Sequence, residues 1–233
     1  MQIGRMLDLT LSSEIIYSYI IIICSLIIYF GTKKIYDLSS HGGIKYFRQT
    51  FLLISIGFFS RTFIKFLIFY LEFDNFFDIA RGRLFRIVGN ISQFIFIYIS
   101  IITILYLSYS IIWKKWKDKK GIIIGFHIFT LIISSLSLYI ENIAPYVISQ
   151  IITLSFLLYC IYSSHKKREK KNRKKKSTIS YLIYFLIAGF WLLNSFEVII
   201  PNLFNNTKII IYLSSITLFM IMLYKVLITL GSE

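Results

Sequence analysis

From Ile87 to Trp113 the chain runs without one charged residue. A helix crosses the hydrocarbon core of a bilayer with roughly 20 consecutive apolar residues, so this block is long enough to span. Six further blocks share its character. The expected spans are 12–31, 48–71, 87–112, 121–141, 146–164, 178–200 and 207–229. They are continuously apolar. They lack the alternation of barrel strands and the single stripe of a soluble amphipathic helix. Hydrophobic residues make up 57% of the chain, against about 45–50% in ordinary soluble domains. The sequence therefore predicts an all-α polytopic membrane protein: a single domain, 1–233, folded as a seven-transmembrane-helix bundle in the lipid bilayer.

The loops between spans are short, and no segment has the length or composition of a soluble domain. Any chemistry must sit inside the bundle or at its rims. Cys24 and Cys160 lie in separate apolar blocks and read as small buried hydrophobes, not as a disulfide framework. No cleavable signal peptide is expected at the N-terminus.

Basic residues set the orientation, because they collect on the cytoplasmic side. Lys33, Lys34, Lys45 and Arg48 follow the first span. Lys114, Lys115, Lys117, Lys119 and Lys120 follow the third, and KKREKKNRKKK at 166–176 follows the fifth. On this assignment 19 of the 26 Lys and Arg residues are inside, five are outside and two lie within the membrane. The N-terminus is expected outside and the C-terminus inside, in the plasma membrane of the cell. Lys166, Lys167, Arg168, Lys170, Lys171 and Arg173 are then contacts for anionic lipid head groups or for a cytosolic protein partner. No nucleic acid is implied by that run on a multi-span chain.

The two intramembrane cations are Arg61 and Lys65, one turn apart in SRTFIKF. A charge near mid-bilayer costs about 2.5–3.5 kcal/mol on insertion scales, so both are expected to face the bundle interior. Counting depth at about 1.5 Å per residue brings them to the levels of Asn194 and Glu197 in the sixth span. Asn90 and Gln93 occupy the outer third of the third span, and Glu14 opens the first. These seven residues, Arg61, Lys65, Asn194, Glu197, Asn90, Gln93 and Glu14, define a candidate ligand-binding site in the outer half of the membrane. The same residues are also consistent with a closed internal ion-pair network that fixes helix packing, with Lys65 snorkelling outward. His127 stands alone in GIIIGFHIFT and reads as a hydrogen-bonded packing residue. No catalytic motif, metal-ligand spacing or phosphate-binding glycine loop occurs, and no cofactor is implied.

Residues 34–63, KIYDLSSHGGIKYFRQTFLLISIGFFSRTF, resemble a segment of uncharacterised archaeal multi-pass membrane proteins, in which a basic LSxHxGIxYFR loop leads into a span with an internal Arg. Leu38, Ser39, His41, Gly43, Ile44, Tyr46, Phe47, Arg48 and Arg61 carry the match. The resemblance implies an archaeal source and a shared second span; it implies no activity. His41 and Arg48 read either as a docking feature or as the cap and anchor of the second span. Gly42 and Gly43 read as a loop breaker. The span count is similar to that of rhodopsins and seven-helix receptors, but the retinal lysine of the former and the third-helix acidic-Arg-aromatic ending of the latter are missing.

The leading expectation is a receptor- or sensor-like protein with an outward-facing polar pocket. A small-solute or ion transporter using the same charges is the alternative, and a non-catalytic membrane scaffold or assembly subunit the second alternative.

Overall fold

The computed structural model describes residues 2–73, 81–114, 116, 120–140, 142, 144–169, 177–199 and 205–231. They form seven long helices and one short one: α1 Gln2–Gly31, α2 Lys33–Ser39, α3 Gly42–Phe73, α4 Arg81–Ile112, α5 Lys120–Tyr139, α6 Ala144–Glu169, α7 Ser177–Ile199 and α8 Asn205–Gly231. Six of the long helices are long and apolar enough to cross a membrane. In α7 the described apolar stretch is Leu182–Phe196. The all-α, multi-span expectation holds.

Neighbouring helices pack in the order α1, α3, α4, α6, α7, α8, and α8 returns to α1, so six helices close a ring. The seventh, α5, docks on the outside against α4 and α6. Burial follows this placement: α4 is the most enclosed of the spanning helices and α5 the least. One apolar core draws residues from all six ring helices, among them Tyr17, Phe51, Phe58, Leu107, Leu157, Phe190 and Phe219. Outward-facing residues such as Phe59, Phe63 and Phe66 are also apolar, as lipid contact requires.

Inside the ring a file of aromatic rings runs from α8 to α7. Tyr212 stacks on Tyr17 at 4.5 Å, and Tyr17 meets Phe58 edge-on at 5.5 Å. Phe58 then contacts Phe190, Phe190 contacts Phe219, Phe219 contacts Phe51, and Phe51 contacts Phe47, which reaches Tyr184. Edge-to-face pairs of this kind suit the ring quadrupole, and they fill the centre of the bundle with rigid side chains.

The stretch after the first span is more ordered than its glycines suggest. Gly42 and Gly43 do not break the chain; they open α3, and the turn falls two residues earlier, at left-handed Ser40 with φ 47°. The glycines are needed for close approach. A Cβ on Gly42 would overlap the Trp113 indole, and one on Gly43 would lie 2.9 Å from the Ser110 carbonyl oxygen. The first turn of α3 thus sits directly on the last turn of α4. His41 Nδ1 accepts the Gly43 N–H at 3.2 Å, capping α3, and the imidazole packs 4.8 Å from the Trp113 ring. Arg48 Nε donates to the Tyr29 carbonyl at 3.2 Å, one of the orphan acceptors at the end of α1. His41 and Arg48 therefore have cap and anchor contacts in the fold.

Candidate functional site

The antiparallel register of α1 and α3 is pinned at two levels. At one end lies Arg48 on Tyr29. Thirteen residues further along α3, about 20 Å by helix rise, Arg61 meets Glu14 of α1. Arg61 Nη2 lies 2.8 Å from Glu14 Oε1, and Lys65 Nζ pairs with the same oxygen. One turn separates the two cations along α3, so both reach a single carboxylate from one helix face. Gly57, a turn before Arg61, faces Ile99 of α4, where a Cβ would come within 2.9 Å of its Cγ2. This close approach brings α4 to the site. Phe96, three residues before Ile99, lies under the Arg61 guanidinium, with the carbon 5.6 Å from the ring centroid. A cation over an aromatic face gains on the order of 0.5–2 kcal/mol, most where water is scarce.

Burial within the cluster is unequal. The Arg61 and Glu14 side chains are 12% and 13% exposed, that of Lys65 38%. Arg61 and Glu14 are the enclosed members of the cluster and Lys65 the exposed one. Beneath the cluster, toward the start of α3, lies the aromatic file from Tyr17 to Phe51.

Asn194 sits beside this cluster without joining the ion pairs. Its Oδ1 accepts the Tyr17 hydroxyl proton at 2.8 Å and its Nδ2 donates to the Phe190 carbonyl at 2.8 Å. Both ends of the buried amide are engaged, and Asn194 ties α7 to α1. The depth count placed Asn194 and Glu197 opposite the cations. Among the described residues the acidic partner brought to them is Glu14, on α1, which packs along α3. The Glu197 side chain lies outside the described residues. Asn90 is exposed and Gln93 half-buried, on α4 six and three residues before Phe96, toward the start of that helix from the level of Arg61. Among the basic-loop candidates, Lys166 is exposed; the side chains of Lys167 and Arg168, and Lys170, Lys171 and Arg173 altogether, lie outside the described residues.

Two further polar groups are bridges between helices. His127 of α5 is held by α4 at both ring nitrogens, Nδ1 to the Tyr98 hydroxyl at 2.6 Å and Nε2 to the Tyr106 hydroxyl at 2.8 Å. It fastens the peripheral helix to the ring, in keeping with a packing histidine. Gln150 Nε2 of α6 donates to Ser100 Oγ of α4. Among the described residues no group of three or more His, Cys, Asp or Glu is placed to hold a metal ion.

Sequence reasoning did not identify Tyr17 and Phe96. Tyr17 is three residues from Glu14 and hence on its face, which was the available signal. In a chain with 17 Tyr and 22 Phe, one aromatic residue carries little weight without its neighbours. Tyr17→Phe removes the bond to Asn194 and keeps the ring. A loss of about 0.6–1 kcal/mol is expected, the usual size for a hydrogen bond between membrane helices, read as a small fall in the midpoint of thermal unfolding in detergent.

These features define an integral membrane protein: an all-α bundle of apolar helices with a charged cluster between two of them. The chain is similar to an uncharacterised protein of Archaeoglobus fulgidus, 26% identical over 219 residues, which cover 93% of this chain and 92% of that protein. The similarity thus extends over nearly the whole bundle. No family model matches the chain, and no solved structure matches it.

Proposed function

We propose that this chain is a receptor- or sensor-like membrane protein of archaeal origin, whose Glu14–Arg61–Lys65 cluster forms the floor of a polar site open to the cell exterior. The observation that carries the reading is the openness of the cluster. Lys65 shares a carboxylate oxygen with largely buried Arg61 while keeping more than a third of its side chain exposed. A packing network with Lys65 snorkelling outward shares that exposure, and the accessibility and charge-selectivity of the site separate the two. The ligand class is an anion or a strong hydrogen-bond acceptor, since an Arg and a Lys converge there and both are donors only. On this reading Gln93 and Asn90 of α4 would lie on the approach to the site. The N-terminus lies outside and the C-terminus inside the plasma membrane, by the distribution of basic loops. Those loops contact anionic lipid head groups and a cytosolic partner that receives the signal.

The transporter reading places the same charges on a path across the membrane. The buried aromatic file below Arg61 weighs against it, because Phe58, Phe190, Phe219 and Phe51 fill that path. Single-cysteine accessibility separates the two, in a background with Cys24 and Cys160 replaced. A membrane-impermeant maleimide is expected to label Lys65→Cys from the outside only, and to leave Ser55→Cys, buried below the cluster, unlabelled from either side. Labelling of Ser55→Cys from the inside, with solute exchange in proteoliposomes, would establish the carrier instead.

A further inference from the structure

We propose that Arg48 and the α1–α2 junction bind the phosphate of an anionic lipid head group at the membrane surface where α1 ends and α3 begins. The guanidinium lies against two tyrosine rings, with its carbon 4.8 Å from the centroid of Tyr29 and 5.5 Å from that of Tyr36. Nε–H is used on the Tyr29 carbonyl. That bond caps α1 and takes one of five donors in a planar fork. Among the described residues no carboxylate lies within ion-pair distance of Arg48, although exposed Asp37 is on the same short helix α2. The Nη edge is therefore the part of the fork that the fold does not use. A guanidinium held by aromatic faces keeps its plane fixed and suits bidentate contact with phosphate.

The depth and surroundings of the residue point to a lipid. Tyr29 is in the last turn of α1, which ends at Gly31, so Arg48 is level with the boundary between acyl chains and head groups. Arg48 is half-buried, and Lys33, Lys34 and Lys45 surround this junction in sequence with exposed side chains. Leu38 on α2 is 81% exposed. An apolar residue on a basic helix at this depth favours a position in the interface. Free phosphate would gain nothing from it. This inference makes specific one of the lipid contacts proposed above and does not depend on what occupies the Glu14–Arg61–Lys65 site, so the failure of either test leaves the other standing.

The test uses the full chain in detergent, with native mass spectrometry and thermal unfolding as readouts. Phosphatidylglycerol is expected to stay bound and to raise the unfolding midpoint, whereas phosphatidylcholine and millimolar inorganic phosphate are not. Arg48→Lys keeps the charge and loses the fork, and should weaken phosphatidylglycerol retention about tenfold, the equivalent of 1.4 kcal/mol. The double variant Lys33→Gln/Lys45→Gln alters only exposed side chains. It should weaken retention several-fold with the lipid-free midpoint unchanged, and so decides the matter if Arg48→Lys does not fold. Equal retention of the two lipids, equal protection by inorganic phosphate, or unchanged retention in these variants would each overturn the proposal.

Discussion

Glu14→Leu is expected to destabilise the bundle by about 3–5 kcal/mol, the usual cost of removing one member of a buried ion pair. Two cations from α3 converge on the carboxylate lost, and the Arg61 side chain is nearly enclosed. The change also loosens the contact of α1 with α3 at the level opposite Arg48. Adding Arg61→Leu to the same chain should return a large part of the loss, since apolar groups of similar volume replace buried pairs at little net cost. Equilibrium unfolding of the two single variants and the double gives the coupling directly. A loss under about 1 kcal/mol for Glu14→Leu would mean that the cluster contributes no structural cohesion between these helices.

Phe190→Ala should cost a similar amount for a different reason. Phe190 is fully buried and contacts Phe58, Trp191 and Phe219 at the centre of the ring. Truncating a core Phe typically costs about 3–5 kcal/mol, through lost contacts and the cavity left behind. Phe196→Ala, on the same helix at a position 45% exposed, is the control and should cost little. If the two cost the same, the aromatic file is not a packed core. The obstacle that weighs against a transport path would then be absent.

The coarse fold was legible because the bilayer is a demanding solvent. Backbone groups there must be satisfied within the helix, so an uncharged block such as Ile87–Trp113 has few options. The order of helices around the ring was not legible. Depth counting gives a level for each residue but says nothing of which helix stands beside which, and Asn194 and Glu14 sit at levels too close to separate by a rise of 1.5 Å per residue. The choice between them depends on which helix packs along α3, and there α1 brings Glu14 to Arg61 and Lys65. The glycines and charges of segment 32–47 point to a loop, whereas the structure forms α2 there and begins α3 at Gly42. The glycines there serve close approach inside a helix, a role that local sequence does not distinguish from a turn.

The central claim is that the outer cluster is an open site selecting anions. The most direct measurement is the ratio of modification rates of Gln93→Cys by anionic and cationic thiosulfonate reagents of similar size, applied from outside. The native cysteines are replaced, and the reference is the same ratio at Tyr139→Cys, a position 87% exposed on α5. The account predicts a ratio shifted toward the anionic reagent by about tenfold at Gln93→Cys, and loss of most of that shift when Lys65→Gln is added. A ratio equal to that at Tyr139→Cys, or one indifferent to Lys65→Gln, would contradict it.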